Sequence, residues 1–328
     1  MIHHKLIRRT LCAALALAPV LMPTQAFAQA DWPSKPVKMI VSFPAGGAAD
    51  VTARQLSVHL STVFGQQFVV ENRSGASGNI GTDAVAKSAP DGYTLGLSST
   101  GPLANNKSLY KTMPYDAQKD LTPIALVGEI PLVIVINPAT KVANLKEFVT
   151  AIKANPSGFS AGHPGNGTIG HLAIELFKTN TGANPQAVPY RGDAPAMVDL
   201  LGGQIQAVFS PVTAFIPNIQ AEKLRALAVV SKTRYPGLPN VPTAIEQGID
   251  LDITAWFAVV GPAGLPKTLV TKLNQEINKY TNSAEGRAKV AQFGLVPANS
   301  SPEALAALMS SETAKWKKVV EAAKISLE

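Results

Sequence analysis

The chain has 328 residues, with 29 basic and 22 acidic side chains and a formal net charge of +7. Its only cysteine is Cys12, which excludes an internal disulfide and a cysteine-based metal site. The basic residues form no consecutive block and do not interleave with aromatic residues, which argues against a nucleic-acid partner. The length is sufficient for two domains or lobes, each with an apolar core.

The first 28 residues show the order of segments that is typical of a cleaved secretory signal peptide. Three basic residues come first, residues 11–21 form a short apolar run, and Ala26-Phe27-Ala28 provides the small residues of a cleavage site. We therefore predict cleavage after Ala28, with Ala30 as the second choice, and a periplasmic location. A membrane anchor is the alternative, but the run is shorter than a membrane span and is interrupted by proline. Removing the three basic residues lowers the net charge of +7 to +4, which is compatible with attracting small anions.

Short apolar runs alternate with helical patterns along the rest of the chain. Strands are predicted at 37–43, 67–71, 93–97, 132–136, 159–161, 186–188, 206–209, 225–230 and 256–260. Helices are predicted at 50–64, 81–88, 145–154, 168–178, 195–201, 267–283 and 302–323. This alternation predicts two successive α/β units, each with a parallel sheet covered by helices. A ligand is then expected between the two lobes, at the carboxyl ends of the strands.

Three loops in the first half of the chain each join the end of a predicted strand to the start of a helix. Adjacent glycines in the first loop let the backbone approach a ligand, and the free N–H groups of a helix start favour an anion. Hydroxyls at the end of the third strand can donate to a carboxylate without a full counter-charge. The predicted ligand contacts from these loops are Phe43, Pro44, Gly46, Gly47, Ala48, Asp50, Gly78, Asn79, Ser99 and Thr100. For Asp50, an N-cap role and a ligand contact are both open.

Two further loops with the same design lie in the second half of the chain. Residues 162–168 combine a flexible turn, an amide and a hydroxyl before a helix, and residues 190–195 again precede a helix. These loops and the helix after the first of them add His163, Asn166, Gly167, Thr168, His171 and Asp193 to the predicted ligand contacts. For His171, the alternative to direct participation is a structural hydrogen bond.

Patterns that would indicate catalysis are sparse. Only His59, His163 and His171 remain after removal of the signal peptide. No HExxH motif or cysteine pair accompanies them, so a zinc site is not expected. The loop at 72–81 lacks the Gly-Lys-Ser/Thr ending of a nucleotide-binding P-loop. We predict a binding protein without a cofactor rather than an enzyme. An α/β esterase is the enzymatic alternative: no Gly-x-Ser-x-Gly elbow is present, but a Ser-His-Asp site is defined by geometry.

Several segments in a fixed order carry a resemblance to one family. They are 32–36 (WPSKP), Phe43-Pro44 with Gly46-Gly47 and Asp50, 70–73 (VENR), 78–81 (GNIG), 89–94 (APDGYT), 165–168 (GNGT) with 171–172 (HL), 188–192 (VPYRG), 199–204 (DLLGGQ), 224–229 (LRALAV) and 241–243 (VPT). With these segments the mature chain resembles the Bug family, the extracytoplasmic solute receptors of tripartite tricarboxylate transporters.

The resemblance implies the two-lobed α/β fold of type II periplasmic binding proteins, also called the Venus flytrap fold. It places residues 29–128 and 253–328 in lobe 1 and residues 129–252 in lobe 2, with crossing segments near 127–131 and 252–260. It also implies that backbone N–H groups, hydroxyls and ordered waters of the lobe 1 loops hold a ligand carboxylate. Lobe 2 would then select the rest of the ligand.

The resemblance further implies a small carboxylate ligand and the membrane permease subunits of a tripartite tricarboxylate transporter as partners. A sensor kinase is the alternative partner, because the same lobes could report ligand binding instead of delivering the ligand. Nothing in the sequence requires more than a monomer.

The chain departs from the family pattern at three positions. His163 and Asp193 stand where small residues are usual, and Gln206 replaces a frequent aspartate. We hypothesise that His163 and Asp193 line the lobe 2 side of the cleft and help to select the ligand. Asp193 would pair with an amino group or disfavour di-acids, and the alternative for this residue is an N-cap role.

Overall fold

The computed structural model describes residues 32–327, so the predicted signal peptide and its cleavage site after Ala28 or Ala30 lie outside the described residues. The fold given below is that of the compact unit that begins at Lys35. Within residues 32–327, no helix combines the length and the apolar character that a membrane span requires.

Ten strands and ten α-helices make up the described fold. The strands are β1 Val37–Val41, β2 Phe68–Asn72, β3 Thr94–Ser99, β4 Leu121–Ile136, β5 Ser160–His163, β6 Gln186–Pro189, β7 Ala207–Pro211, β8 Arg225–Val230, β9 Thr254–Pro262 and β10 Val296–Pro297. The helices are α1 Ala48–Phe64, α2 Asn79–Ala86, α3 Asn106–Leu109, α4 Leu145–Ala154, α5 Ile169–Thr181, α6 Asp193–Leu201, α7 Ile216–Gln220, α8 Lys267–Asn282, α9 Ala284–Ala291 and α10 Pro302–Ala323. A π-helical turn, Gly101–Asn105, leads directly into α3.

The strands form two half-sheets that share one strand. In the first half-sheet the order is β2-β1-β3-β9-β4, with β10 on the far side of β4. In the second half-sheet β4 lies between β8 and β7, and β5 and β6 follow β7. The pairs β1–β2, β1–β3, β5–β6 and β5–β7 are parallel, so their carboxyl ends lie on one edge of each half-sheet.

Strand β4 passes from one half-sheet to the other within its sixteen residues. Residues up to Pro131 pair with β9, and residues from Leu132 onward pair with β7 and β8. The change of partners therefore falls between Pro131 and Leu132. Strand β9 begins at Thr254, opposite Pro131, and stays in the first half-sheet.

Helix α10 contributes side chains to the apolar cores of both half-sheets. Its first half packs Leu305 and Met309 into the cluster around Trp256 of β9. Its second half packs Trp316 into the cluster that contains Phe148 and other aromatic residues of the second half-sheet. A rigid helix of 22 residues thus bridges the two cores.

The structure corrects several predicted boundaries. The predicted strand at 132–136 is only the last part of β4, because the prolines and the glycine between 121 and 131 weaken the strand signal. The strand accommodates them with register shifts between Pro123 and Ala125 and between Leu126 and Gly128. Helix α9 and the helical turn after β3 were not predicted. The predictions for α4, β8 and α10 match the observed bounds.

Candidate functional site

A cavity of about 290 Å³ lies between the loops of the two half-sheets. The first half-sheet lines it with the loop after β1, the loop after β2 and the helical segment after β3, and the second half-sheet lines it with the start of α5. The lining residues are Phe43, Ser77, Ser99, Thr100, Gly101, Asn105, Asn106, Gly167, Thr168, Ile169 and Ala255. A larger groove of about 590 Å³ lies between α4, the end of α5 and residues 247–250, away from the strand ends that meet at the cleft. The position of the smaller cavity, between the lobes, makes it the candidate site.

Two helical segments begin at this cavity from opposite sides. The π turn and α3 run on from Gly101, and α5 begins at Ile169 with Thr168 as its N-cap. The first N–H groups of a helix have no partner within the helix and carry a partial positive charge. None of the residues that line the cavity has a charged side chain. The arrangement can therefore bind an anion through oriented backbone dipoles, without a counter-charge from a side chain.

Two lining hydroxyls are already committed to the protein. Thr100 Oγ1 accepts a hydrogen bond of 2.8 Å from the backbone N–H of Trp256 on β9. Thr168 Oγ1 donates to the carbonyl of Gly165 at 2.6 Å and caps α5 by accepting from the N–H of His171 at 3.4 Å. Both threonines therefore hold backbone at the cavity, and sequence reasoning had placed both of them at the ligand.

Two other side chains at the cavity have polar atoms without a hydrogen-bond partner within residues 32–327. The Ser99 hydroxyl makes no hydrogen bond there, and Asn105 is only 2% exposed although its Oδ1 atom has no hydrogen-bond partner. A buried polar group without a partner costs about 1–3 kcal/mol. Asn105 lies in the π turn, a rare geometry that is found mainly at functional sites. Sequence reasoning missed Asn105 because no sequence signal identifies a π turn.

Asp50 braces the loop that follows β1. Its carboxylate accepts from the backbone N–H of Gly46 at 2.9 Å, from Arg54 Nε at 3.0 Å and from Asn72 Nδ2 at 2.9 Å. Burial favours the neutral acid, but the hydrogen bonds from Arg54, Gly46 and Asn72 outweigh it and hold the pKa of Asp50 below its usual value. The predicted N-cap alternative is wrong, because Gly47 is the N-cap of α1 and Asp50 is the third residue of the helix.

Asn79 is likewise used inside the protein. Its Oδ1 atom accepts from Asn106 Nδ2 at 2.6 Å and from the Tyr115 hydroxyl at 3.2 Å. Asn106 also donates to the carbonyl of Ser77 at 3.2 Å, so the amide pair joins the loop after β2 to α3. Gly78, with φ +92°, lies so close to the Phe43 ring that an added Cβ would approach it to 3.1 Å. Only glycine fits this turn, and its close packing places Phe43 at the cavity.

Two of the three positions where the chain departs from the family pattern, His163 and Asp193, lie outside the cavity lining. His163, 1% exposed, stacks on His171 with ring centroids 4.4 Å apart. Asp193 accepts a hydrogen bond from the Ser210 hydroxyl, and burial raises the pKa of its carboxyl. The predicted N-cap alternative for Asp193 is wrong, because Gly192 is the N-cap of α6. A role of His163 and Asp193 in ligand selection stays a prediction.

The remaining predicted contacts are divided between the cavity and its surroundings. Phe43, Ser99, Thr100, Gly167 and Thr168 line the cavity. Pro44, Gly46, Gly47 and Asn166 are exposed on neighbouring loops. Ala48 lines a second groove of about 460 Å³ that also contains Thr213, Tyr235 and Phe293. Among the described residues, no group of three or more His, Cys, Asp or Glu side chains is arranged to hold a metal ion.

We expect Asp50→Ala to lower the free energy of unfolding by about 2 kcal/mol, because the Gly46 N–H and the Asn72 amide lose their buried acceptor. Urea unfolding measures this loss. The matched control is Glu71→Ala, which removes a carboxylate that is 36% exposed and forms ion pairs with Lys38 and Arg73. The control is expected to cost no more than about 1 kcal/mol, as for surface ion pairs in general. Equal stability of the two variants would contradict the bracing role of Asp50.

Known proteins with the same sequence pattern and fold identify the family. The family model described as tripartite tricarboxylate transporter family receptor matches residues 52–325. Protein BugT of Bordetella pertussis (strain Tohama I) is 40% identical over 93% of this chain and 94% of its own length. A UPF0065 protein encoded in the tcbD-tcbE intergenic region of Pseudomonas sp. (strain P51) is 38% identical over 95% of this chain and 94% of its own length.

Solved structures agree with these sequence relationships. R. palustris Rpa4515 with adipate has a TM-score of 0.77 and 35% identity, covering 90% of this chain and 100% of that chain. MatC from Rhodopseudomonas palustris with bound malate has a TM-score of 0.70 and 28% identity, covering 88% of this chain and 99% of that chain. These similarities, and that to the periplasmic binding protein BugD, confirm the predicted two-lobed α/β fold. The chain belongs to the tripartite tricarboxylate transporter receptor family, whose members are solute-binding receptors and not enzymes.

Proposed function

We propose that this receptor holds a small carboxylate in the 290 Å³ cavity and delivers it to the membrane permease of a tripartite tricarboxylate transporter. The observation that carries the proposal is an uncharged cavity onto which two helix starts open from opposite sides. Such a cavity suits an anion, because free backbone N–H groups favour negative charge. No carboxylate side chain lines it that would attract a cation.

The two helix starts favour a ligand with negative charge at both ends. One carboxylate would lie at the segment that begins with Gly101 and the second at the start of α5, with Phe43 and Ala255 against the carbon chain between them. Adipate and malate, which the two solved relatives hold, are both dicarboxylates. We therefore propose small dicarboxylates as the first candidates. Asp193 is compatible with them, since its side chain does not line the cavity and accepts a hydrogen bond from Ser210.

Ligand binding is proposed to close the two lobes. We retain the boundaries predicted from the resemblance, with residues 29–128 and 253–328 in lobe 1 and 129–252 in lobe 2. Strand β4 changes partners between Pro131 and Leu132, close to the proposed boundary. A ligand that contacts both lobes makes contacts that only the closed form offers, so its differential affinity drives closure.

Export precedes this role. We propose that residues 1–28 direct the chain to the periplasm and are removed there, and that the mature receptor acts as a monomer. Delivery to a permease is preferred over signalling to a kinase, because the matching family model describes transporter receptors.

A carboxylate ligand is expected to raise the thermal stability of the purified receptor after bound ligand has been removed by dialysis. The stabilisation follows RT ln(1 + [L]/Kd), which is about 2.7 kcal/mol at a hundredfold excess over Kd. A thermal-shift screen would compare mono-, di- and tricarboxylates with their amides as uncharged controls. The proposal predicts shifts for dicarboxylates and none for the amides. If no carboxylate shifted the melting temperature, the proposal would be contradicted.

Asn105→Ala is expected to weaken binding of the best dicarboxylate about tenfold, because Asn105 Nδ2 is proposed to donate to a carboxylate oxygen, and a hydrogen bond to a charged group contributes about 1.5–3 kcal/mol. Isothermal titration calorimetry measures the Kd. The matched control is Asn240→Ala, because Asn240 is an exposed asparagine that does not line the cavity. The control is expected to bind as the unchanged protein does. An equal or larger loss in the Asn240 variant than in the Asn105 variant would contradict this assignment.

A further inference from the structure

The buried His163 and the half-buried His171 of the second half-sheet form one unit beside the cavity. His163 is the last residue of β5, and His171 is the third residue of α5. Their rings are stacked, with centroids 4.4 Å apart and planes inclined by 10°. They lie outside the cavity lining, and two histidines alone do not make a metal site. Both rings instead contact the backbone of the turn between β5 and α5.

Both rings bind the turn that carries the lobe 2 wall of the cavity. His171 Nδ1 accepts a hydrogen bond of 3.1 Å from the backbone N–H of Gly167. His163 Nδ1 lies 2.9 Å from the carbonyl of Gly165, which also accepts from the Thr168 hydroxyl. Gly167 and Thr168 line the cavity. The histidine pair thus fixes the backbone from which the ligand would be bound.

The position of Gly167 depends on this support. Its φ of +72° lies in the left-handed region that favours glycine, and an added Cβ would lie 2.7 Å from the Leu327 side chain. Packing from Leu327 and the hydrogen bond to His171 hold Gly167 from two directions. Loss of the His171 acceptor would leave its N–H without that partner and free the turn to move.

The hydrogen bond requires a particular protonation state of His171. Nδ1 can accept only when it carries no proton, so the ring must be neutral with its proton on Nε2. Burial lowers the pKa of His171, against an opposing contribution from Glu175. Burial and the neighbouring His171 lower the pKa of His163 to about 4. The groups that act on the pair are Glu175 and Lys178, which form an ion pair of 2.7 Å on α5.

We infer that His171 is a positioning residue whose Nδ1 atom holds the Gly167 N–H and thereby sets the lobe 2 wall of the ligand cavity. This inference rests on the proposed function for its effect on affinity, but the hydrogen bond itself can be tested without a ligand. Because only the neutral ring accepts, the support is present above the lowered pKa of His171 and is lost as the pH falls through it.

Two substitutions separate the role of Nδ1 from the bulk of the ring. In His171→Asn the amide oxygen can take the place of Nδ1, and in His171→Gln the polar end lies nearer the place of Nε2. We expect the Asn variant to bind the best dicarboxylate within about threefold of the unchanged protein at pH 8, and the Gln variant to bind it roughly tenfold more weakly. Equal affinities of the two variants would overturn the inference.

Acidification provides a second readout that a merely structural role would not move. The Asn variant cannot titrate at residue 171, so the ratio of Kd values, unchanged protein over Asn variant, cancels protonation of the ligand. An NMR titration of the His171 ring locates the pH range in which it becomes protonated, and we expect the ratio to rise as the pH falls through that range. A ratio that stays constant through that range, or one that falls because the anion favours a protonated His171, would contradict the assignment.

Amide exchange distinguishes failure of this inference from failure of the proposed function. In the ligand-free protein, the Gly167 amide should exchange slowly with solvent in the unchanged protein and the Asn variant, and at least tenfold faster in the Gln variant. Slow exchange in all three would overturn the inference, whatever the ligand results. If the expected exchange pattern is found but no carboxylate binds, the positioning role is supported and the proposed function fails.

Discussion

Backbone N–H groups, and not charged side chains, provide positive charge among the described residues that line the candidate site. No charged residue lines the cavity, so a bound carboxylate depends on the starts of two helices and on a few neutral polar groups. Such dipoles act only within about the first turn of a helix, so their effect depends on where the loop holds the N–H groups. The position of the loops is therefore the quantity that the rest of the structure must control.

Most polar side chains around the cavity hold these loops in position. Asp50 fixes the loop after β1, Asn79 and Asn106 tie the loop after β2 to α3, and Thr100 ties the end of β3 to β9. In the second half-sheet the equivalent support comes from Thr168 and the histidine pair. The polar residues hold the backbone, and the backbone is left to hold the ligand. The carboxylates at this edge of the fold, Asp50 and Asp193, are engaged with protein partners.

The same connections are compatible with the proposed closure of the two lobes around one site. Strand β4 belongs to both half-sheets, and α10 places Leu305 in one core and Trp316 in the other. The proposed rotation between the lobes would displace the facing loops little near these connections and more toward the outer rim. A ligand between the helix starts is positioned to stabilise the closed arrangement.

The alternation of strands and helices, the family and most of the loops that surround the cavity could be predicted from the sequence. Periodicity identified α4 and α10 because each has a continuous apolar face that ends in clear caps. It missed the first part of β4, where prolines interrupt the pattern and only the pairing with β9 maintains the strand. The N-cap roles that it left open for Asp50 and Asp193, as alternatives to ligand contact, lie one to three residues away from the observed N-caps, since glycine carries no side-chain signal for that role. The uncommitted amide of Asn105 depends on a π turn and on burial between lobes, which only the three-dimensional structure brings together.

A crystal structure of the receptor with its best dicarboxylate would test the central claim most directly. The account predicts carboxylate oxygens within hydrogen-bonding distance of the backbone N–H groups at Gly101 and at the start of α5, with Asn105 donating to one of them and no lysine or arginine in contact. A ligand whose carboxylates pair with a charged side chain, or one bound in the groove beside α4, would contradict it.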